Sequence, residues 1–503
     1  MKKTLLLLFV LHFQFTFSQQ IVNSIDDGFS KLLSIQPRSS YTIVNKETNE
    51  ILFFFQERKN ITIKLYDKNF EHLNTLKSED FFNSEEDWFT KKGFSIDNRR
   101  YNIYGTGKDG YLSVISIDFE KGKISKKQLN LFSELGTFLH SINYNNQLHF
   151  LSVDRNSKSL NIYKFDENSK FTKKTIFKFN TDFKPKANED FLTSFFGRGK
   201  LNISEYDAIS LMEHIEKNNP STIEKTSAIA KSYLIENKLF ITFDQLNTST
   251  KIYSVNLDTF EIEVIDILKP RIEGEQITSN SFILNNQIFQ IIASEKELKL
   301  SIEDIQSKKH LKEFGYNNSA NTFEFKNSPF YHEKIALDGQ KKRGVREHEN
   351  TILFLNKLAK RDAGISVYKT GKTYQITLGG VKKVFIITKG IFDKEMESIV
   401  DMRLENNSFF NQYQNHADAK FHPTHGTYRY PISNTSNYVK CSLDENFEHV
   451  KGPYEESTFD KAKRYFLKNK KKLAAKNLFH HNDTIYFGHF SSKKRNYQIV
   501  KFE

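Results

Sequence analysis

One pattern of apolar and polar positions recurs along the chain. An alternating apolar stretch ends at an aspartate, a few polar residues follow, and a second apolar stretch begins, as in KLYDKNFEHL from residue 64 and VKCSLDENFEHV from residue 439. Alternation with a period of two residues is typical of β-strands that bury one face. The aspartates of the pattern are Asp67, Asp118, Asp166, Asp258 and Asp444, with Asp304 in a looser copy. The pattern therefore predicts a series of β-hairpins.

The recurring aspartate has a structural explanation. Its carboxylate can accept a hydrogen bond from the backbone N–H two residues later and so close the turn. Where the turn needs a positive φ we expect Asn or Gly, as at Asn168 and Gly122. We therefore predict turn residues here rather than a catalytic centre. His72 and His449, which follow two of the turns, are predicted to be surface or half-buried strand residues.

The spacing of the turns predicts the architecture. Asp67, Asp118 and Asp166 follow each other after 51 and 48 residues, and Asp304 follows Asp258 after 46. A period of about 40 to 50 residues with several strands in each period is typical of a β-propeller. We predict an all-β fold with helical insertions, a propeller of seven blades, with six or eight as alternatives. The segment 40–45 is predicted to complete the blade formed by the C-terminal strands.

Three stretches interrupt the β pattern with apolar residues at helical spacing. They lie near residues 182–228, 347–364 and 457–479. The second is predicted to end at Gly364, and the third to begin after Ser457, which suits an N-cap. Since no Pro-, Gly- or Ser-rich linker divides the chain, we predict a single domain over residues 19–503 that carries these helical insertions.

The first 18 residues have the three parts of a secretory signal peptide. A positively charged start, MKK, precedes an apolar stretch from Leu5, and the small residues Thr16 and Ser18 suit a cleavage site after Ser18. The apolar stretch is too short to span about 30 Å of hydrocarbon, which disfavours a membrane anchor. The sequence predicts an exported protein without a transmembrane segment in the mature chain. It would be periplasmic, associated with the outer envelope, or extracellular.

The distribution of charge and the cysteine content disfavour a nucleic-acid-binding protein and exclude a disulfide-rich one. The net charge is +13, but Lys and Arg are scattered along the chain instead of forming a basic stripe, so we predict no nucleic-acid partner. Cys441 is the one cysteine of the sequence, which excludes an internal disulfide framework. It lies in a strand-like stretch without a neighbour that would activate it, and we expect a packed small side chain.

The segment NHADAKFHPTHGTYRYP, residues 415–431, is the strongest candidate for chemistry. His416, Asp418, His422 and His425 fall within ten residues. Imidazole and carboxylate groups together are typical ligands of Zn²⁺ and related ions, so these four residues are the candidate metal ligands. Their spacing matches none of the common zinc motifs, and the alternative is a polar loop with solvated histidines. Apart from a divalent metal at this segment, the sequence predicts no cofactor.

The predicted helix at 457–479 is basic and amphipathic. A helix of this kind can contact an anionic envelope surface or an acidic partner. The candidate contact residues are Lys463, Arg464, Lys468, Lys471 and Lys472. The alternative is a helix whose apolar side packs on the propeller and whose lysines face water.

Catalytic motifs such as GxSxG, the phosphate-binding P-loop and GxGxxG after a strand are absent from the sequence. We therefore predict an exported, non-catalytic β-propeller that acts as a binding or scaffold module for a protein, peptide or glycan in the cell envelope. The alternative is a metal-assisted hydrolase or lyase that uses the His-rich segment. The presence of a stoichiometric metal distinguishes the two.

Overall fold

The computed structural model describes residues 19–29, 38–82, 89–106, 112–129, 136–154, 157–166, 168–178, 212–216, 220–317, 323, 325–335, 344–389, 427–455, 457–469, 473–482 and 484–502. These residues form thirty β-strands and three α-helices. The strands pair into seven sheets of four or five strands each. The all-β class with helical insertions is therefore confirmed for the described part of the chain. The chain divides into two compact units, Met1–Leu129 with Glu456–Glu503, and Asn130–Glu455.

The first unit contains three four-stranded antiparallel sheets, and the strands of each are given in spatial order. The first sheet consists of β1 (Gln19–Ile25), β30 (Asn496–Phe502), β29 (Thr484–Ser491) and β28 (Leu473–His481). The second consists of β2 (Arg38–Val44), β3 (Ile51–Glu57), β4 (Asn60–Tyr66) and β5 (His72–Ser78). The third consists of β6 (Thr90–Asp97), β7 (Arg100–Thr106), β8 (Leu112–Asp118) and β9 (Lys123–Gln128).

The N-terminal strand of this unit completes the C-terminal sheet. β1 pairs antiparallel with β30, with Gln19 opposite Phe502 and Ile25 opposite Tyr497. The prediction that residues 40–45 would complete this sheet is wrong, because β2 begins the next sheet instead, where it pairs with β3. Both β1 and β2 have alternating apolar residues, so this pattern alone could not tell which of them pairs with β30.

The second unit contains four sheets. The first two consist of β10 (Thr137–Tyr144), β11 (Gln147–Asp154), β12 (Ser159–Phe165) and β13 (Phe171–Lys178), and of β14 (Glu213–Ile215), β15 (Ala230–Ile235), β16 (Lys238–Phe243), β17 (Ser249–Asn256) and β18 (Ile262–Leu268). The third consists of β19 (Thr278–Leu284), β20 (Gln287–Ala293), β21 (Glu297–Asp304) and β22 (His310–Asn317). The fourth has the spatial order β24 (Gly344–His348), β23 (Phe330–Ile335), β27 (Thr427–Leu443), β26 (Thr373–Lys389) and β25 (Asp362–Thr370).

Successive sheets of the second unit contact each other through one strand of each. Ser232 on β15 lies 2.7 Å from His140 Nε2 on β10. Asn280 on β19 accepts a hydrogen bond from Lys231 on β15 at 2.5 Å and donates one to the carbonyl of Ala363 on β25 at 2.7 Å. Polar side chains therefore run along the strands β10, β15, β19 and β25. The apolar core lies on either side of them, between the faces of the sheets.

The aspartate turns are confirmed at most of the predicted positions. Asp67 accepts hydrogen bonds from the backbone N–H groups of Asn69 at 2.8 Å and Glu71 at 2.7 Å. Asp166 and Asp444 make the same pair of bonds with the residues two and four positions later. Asp118 and Asp304 each accept one backbone N–H three residues later.

Asp258 lies in a turn but does not close it. Asn256 accepts the backbone N–H groups of Asp258 at 2.9 Å and Thr259 at 3.2 Å. The Asp258 carboxylate accepts hydrogen bonds from the Tyr144 hydroxyl at 3.0 Å and the Asn237 amide at 3.0 Å. The prediction that the Asp258 carboxylate closes this turn is therefore wrong, because the side-chain oxygen of Asn256 accepts the backbone N–H groups instead.

The residues with positive φ in these turns also differ from the prediction. Gly122 has a φ of 61° as expected, but Ser169 takes this role in place of Asn168. In the two repeated segments DKNF and DENF, the residue with positive φ is phenylalanine. Its φ is 63° at Phe70 and 60° at Phe447. A bulky side chain is strained in this region, and burial of its ring is the evident compensation. The ring of Phe70 lies 5.2 Å from that of Tyr486, and Phe447 lies 5.2 Å from Tyr374.

The histidines of the repeated phrase follow the turns. The strand prediction is confirmed for His72, the first residue of β5, but not for His449, which lies outside the named strands and forms an isolated bridge with Leu443. His72 is exposed on β5 and lies 2.7 Å from the Thr75 hydroxyl. His449 is half-buried and lies 3.1 Å from the side-chain oxygen of Asn327. Within the described part of the chain, neither belongs to a group of His, Cys, Asp or Glu side chains that could hold a metal ion, so we interpret the phrase as duplicated structure.

The predicted helical insertions near 347–364 and 457–479 are shorter than the pattern indicated, and the one near 182–228 is described only in part. In 182–228, the described residues contain the strand β14 and a single helical turn, α1 (Ile223–Thr226), so the helical prediction is wrong for residues 213–215. α2 (Thr351–Leu358) ends before β25, which contains Gly364. α3 (Thr458–Asn469) is followed by β28 from Leu473, so its predicted continuation to 479 is wrong. In each case backbone pairing within a sheet prevails over local helical spacing.

Candidate functional site

The predicted metal ligands lie outside the described residues. His416, Asp418, His422 and His425 fall in the sequence between β26, which ends at Lys389, and β27, which starts at Thr427. The last five residues of the His-rich segment, 427–431, are part of β27 rather than of a loop. Among the residues that the structure describes, no group of three or more His, Cys, Asp or Glu side chains could hold a metal ion. The metal site remains a prediction.

The basic helix α3 packs by its apolar side on the C-terminal sheet. Ala462 and Phe466 are buried, and the Tyr465 ring lies 5.6 Å from Phe502 of β30. Arg464 and Lys468 are exposed. The other candidate contact residues, Lys463, Lys471 and Lys472, have no described side chain. The described apolar side chains of α3 are thus already covered by protein, and contact with an anionic surface remains a prediction that rests on charge alone.

A second basic group, which the sequence analysis did not single out, lies on the five-stranded sheet of the second unit. One row of residues crosses four of its strands: Arg346 on β24 is opposite His332 on β23, which is opposite Asn437 on β27, which is opposite Gly380 on β26. Residues directly opposite each other across neighbouring strands project on the same face of a sheet. His348, two residues after Arg346, therefore lies on this face too. Two imidazoles and a guanidinium share one side of the sheet.

The helix α2 adds two more cations to this face. Its Phe354 ring stacks on Phe330 of β23, with centroids 4.4 Å apart. A Cβ at Gly380 would lie 2.8 Å from Leu358 and 2.9 Å from Arg361, so the glycine lets the end of the helix approach the sheet. Lys357 and Arg361 are half-buried there, and the Arg361 guanidinium donates a hydrogen bond to the Thr435 carbonyl. We call the five groups on this face the cationic cluster. It consists of His332, Arg346, His348, Lys357 and Arg361.

Burial, and then repulsion between neighbouring cations, lowers the pKa values of His332, His348 and Lys357. Burial lowers the pKa of His332 to about 4, and the charges of Lys357 and Arg361 add to this effect. The pKa of His348 is lowered by burial and by Lys357. The pKa of Lys357 is lowered by burial and by the two arginines. At neutral pH the cluster therefore holds three positive charges and two uncharged imidazoles.

Carboxylates do not offset these charges within the described part of the chain. Arg346, Lys357 and Arg361 make no ion pair with a described residue at 4.0 Å or less. Glu349 is bonded to Lys326 instead. Glu333 and Glu347 lie on alternate positions of β23 and β24, on the opposite face, where they add to the burial that raises the pKa values of Tyr438 and Tyr331. The two faces of this sheet thus separate anionic from cationic groups.

One polar atom of the cluster lacks a partner among the described residues. His332 Nδ1 is buried without a hydrogen bond there, whereas His348 interacts with the Asn437 side chain and the Asn350 backbone. The Asn437 residue is fully buried, and its amide nitrogen donates to the Phe354 carbonyl at 3.2 Å. Buried polar atoms normally find a partner, since leaving one unpaired costs about 1 to 3 kcal/mol.

A second candidate, around Ser232, has the residue types of a nucleophile and base. Ser232 Oγ lies 2.7 Å from His140 Nε2 and 3.1 Å from His214 Nδ1, and the two rings stack with centroids 5.1 Å apart. Burial lowers the pKa of His214 to about 3, with Lys225 adding to the effect. His140 Nδ1 has no hydrogen bond to a described residue, so a carboxylate that would orient the base is missing there. Ser232 is fully buried. We interpret the trio as a structural hydrogen-bond chain.

Cys441 is likewise structural. It is fully buried in the core of the second unit, and burial raises the pKa of its thiol well above the usual range. A thiol in this state is protonated and unreactive. The prediction of a packed small side chain is confirmed.

Comparisons with known proteins give no family. No protein-family model and no curated protein matches the sequence. Among solved structures, the chain is similar to a prolyl endopeptidase with 10% identity and a TM-score of 0.31, covering 74% of this chain and 54% of that chain. It is also similar to the β-propeller domain of the Trilobed protease from Pyrococcus furiosus, with 12% identity and a TM-score of 0.24, covering 58% and 79%. The WD40 domain of SCAP from fission yeast gives 9% identity and a TM-score of 0.23, covering 96% and 97%.

These similarities are too weak to carry an argument about function. The chain spans about half of the prolyl endopeptidase chain that it matches. The fold description therefore rests on the strand pairing, and the candidate site rests on its own geometry. No helix among the described residues is long and apolar enough to cross a membrane.

Proposed function

We propose that the protein is an exported, non-catalytic β-propeller of seven blades that binds a protein, peptide or glycan in the cell envelope. The observation that supports it best is the pairing of β1 with β30, because propellers often close their ring by joining strands from both termini in one blade. Each of the seven described sheets then corresponds to one blade; five of them have the usual four strands and two have five. The single-domain organisation over residues 19–503 follows from this proposal.

The three-part pattern of residues 1–18 supports export. N-terminal sequencing of protein recovered from the envelope or medium tests this. Material that still begins at Met1 would contradict the export proposal.

The binding function is supported by the cationic cluster, whose basic side chains include the exposed Arg346 and make no ion pair with a described carboxylate. Catalysis has less support, because the Ser232 hydroxyl beside His140 and His214 is fully buried. The test is binding of the purified mature protein to arrays of envelope glycans and peptides, combined with metal analysis of the same sample. We expect retention of a defined class of ligand without turnover. Turnover by metal-loaded protein that is lost in His422→Ala would instead establish the hydrolase or lyase.

A further inference from the structure

We propose that the cationic cluster is a binding site for a phosphate or sulfate group. The inference deepens the proposed binding function by naming the chemistry that one face of the protein recognises. It rests on that function only for the source of the anion, which can be free in solution or an ester on a sugar.

The arrangement of the cluster favours an anion over a structural explanation. The C-terminal end of α2 attracts cations through the helix dipole, and this accounts for Lys357 and Arg361. It does not account for Arg346, which lies on β24, or for two imidazoles on the same face. Cations from β24, from α2 and from the third residue after α2 converge here without an ion pair to a described carboxylate. An anion would remove their mutual repulsion.

The charge and hydrogen-bond capacity of the cluster favour a tetrahedral oxyanion over a carboxylate. A single carboxylate carries one charge and would leave two of the three cations unmatched. Phosphate and sulfate carry up to two charges and present three or four oxygens, which suits guanidinium and ammonium donors on one side and imidazole N–H groups on the other. Arg346 is exposed while Lys357 and Arg361 are half-buried, so the site is open on one side. An ester could therefore enter with its sugar facing solvent.

Binding should also change the histidines. Burial is the main cause of the lowered pKa of His332, and the neighbouring cations add to it. An anion placed among these cations would remove the second effect, so the bound form should titrate nearer the usual value of about 6.5. The pKa of His332 reports on the cluster itself and can be measured in the unmodified protein.

The experiment is calorimetric titration of the mature protein with inorganic sulfate, inorganic phosphate, and a phosphorylated and a sulfated monosaccharide, at low chloride. We expect saturable binding with one site per chain, and an affinity at least tenfold weaker in Arg346→Gln and in Lys357→Gln. The matched control is Lys360→Gln, an exposed lysine three residues after Lys357 that is outside the cluster. Its affinity should stay within twofold of the unmodified protein. Tighter binding of the sugar esters would identify an ester as the source, and equal binding a free anion.

Two outcomes would overturn the proposal. The first is binding that does not saturate or that Lys360→Gln weakens as much as Lys357→Gln, since this is the behaviour of diffuse surface charge. The second uses unmodified protein labelled at histidine: if saturating sulfate leaves the titration of His332 unchanged, the anion is not in the cluster, whatever the variants do. Circular dichroism checks that each variant is folded. Either failure would leave the array-based test of the proposed binding function unaffected.

Discussion

Two groups of cations in the second unit have similar composition and opposite surroundings. In the first, which we call the buried lysine pair, Lys231 and Lys269 hold the carboxylate of Asp244 between them, at 2.9 Å and 3.1 Å, with all three side chains fully buried. In the second, the cationic cluster, three permanent cations share a partly exposed face and no described carboxylate pairs with them. Burial without a counter-charge would be prohibitive, so the first group must be complete within the protein.

Hydrogen bonding separates the two groups further. Each lysine of the buried pair has three acceptors: Lys231 bonds to the Ala228 carbonyl, Asp244 and Asn280, and Lys269 to the Leu246 carbonyl, Ser279 and Asp244. The cationic cluster instead leaves the buried His332 Nδ1 unpaired among the described residues, and its Arg346 side chain is exposed. A satisfied group stabilises the fold, while the exposed charge of the second group is open to a ligand. The contrast is the physical basis for placing the candidate site on α2 and β23 and not between β15 and β16.

The largest expected effect is the loss of the carboxylate in the buried lysine pair. Asp244→Ala leaves two buried ammonium groups without a counter-charge and removes the acceptor of Thr250 and Ser281 hydroxyls. Breaking a buried ion pair in this way costs about 3 to 5 kcal/mol, so we expect chemical denaturation to show a loss of that size. Asp266→Ala is the control, because Asp266 pairs with Lys251 at 3.9 Å on the surface and should change stability by less than about 0.5 kcal/mol.

The pH dependence of that stability tests the same carboxylate. Burial alone would raise the pKa of Asp244, but the charges of Lys231 and Lys269 outweigh it and hold the pKa below its usual range. The folded pKa is therefore lower than the unfolded value of about 3.9. The contribution of Asp244 is fully present above that value and is lost as the pH falls through the folded pKa. The stability difference between the unmodified protein and Asp244→Asn should thus shrink in acid, and a constant difference would contradict the ion-pair explanation.

An intermediate effect is expected where α2 approaches the sheet. In Gly380→Ala, the new methyl group would lie 2.8 Å from Leu358 and 2.9 Å from Arg361, so the end of the helix must move outward. Overpacking of this kind costs about 1 to 3 kcal/mol. Because the movement carries Lys357 and Arg361 away from His332, the affinity for sulfate should fall together with the stability. Gly371→Ala, whose new methyl group would have no atom within 4 Å, is expected to lose stability only through its positive φ and to keep its sulfate affinity.

A smaller effect is expected in the turns, where a carboxylate acts by hydrogen bonding and not by charge. Asp67→Ala removes the acceptor of two backbone N–H groups and should cost about 0.5 to 1.5 kcal/mol in thermal or chemical unfolding. Asp67→Asn keeps a side-chain oxygen and should lose much less. The opposite holds for Asp244, where Asn removes the counter-charge of two lysines. If Asp67→Asn and Asp244→Asn lose equal stability, the proposed difference between a hydrogen-bonding carboxylate in the turn and a counter-charge in the buried lysine pair is wrong.

The sequence predicts structural features that depend on neighbouring residues better than features that depend on residues far apart in the chain. The aspartate turns are local, and the pattern found Asp67, Asp118, Asp166 and Asp444 correctly. Strand order is not local, so β1 could not be distinguished from β2 as the partner of β30. The cationic cluster was missed for the same reason.

A register argument alone could have suggested part of the cluster. HEKIALDGQKKRGVREH, from residue 332 to 348, reads as a hairpin with histidines and an arginine at alternate positions. Nothing in the sequence indicates that Lys357 and Arg361, more than eight residues later, fold back over that hairpin. The contact depends on Gly380, which lies still further along the chain and opposite Asn437.

The smallest expected effect has the opposite sign from the first and separates the two groups most directly. Lys357→Gln removes one of the like charges of the cationic cluster, so the protein should become more stable by about 0.2 to 0.5 kcal/mol, whereas any loss of charge in the buried lysine pair destabilises it. The pKa of His332, about 4 in the unmodified protein, should rise because Lys357 is the strongest of the charges that lower it. A histidine with a folded pKa below its unfolded value of about 6.5 costs stability as the pH falls from 6.5 towards 4, and the variant should lose less over that range. Histidine NMR and thermal unfolding at pH 7 and pH 5 measure both effects. If Lys357→Gln destabilises the protein at both pH values, Lys357 has an unrecognised partner, and the cluster is a structural group like the buried lysine pair.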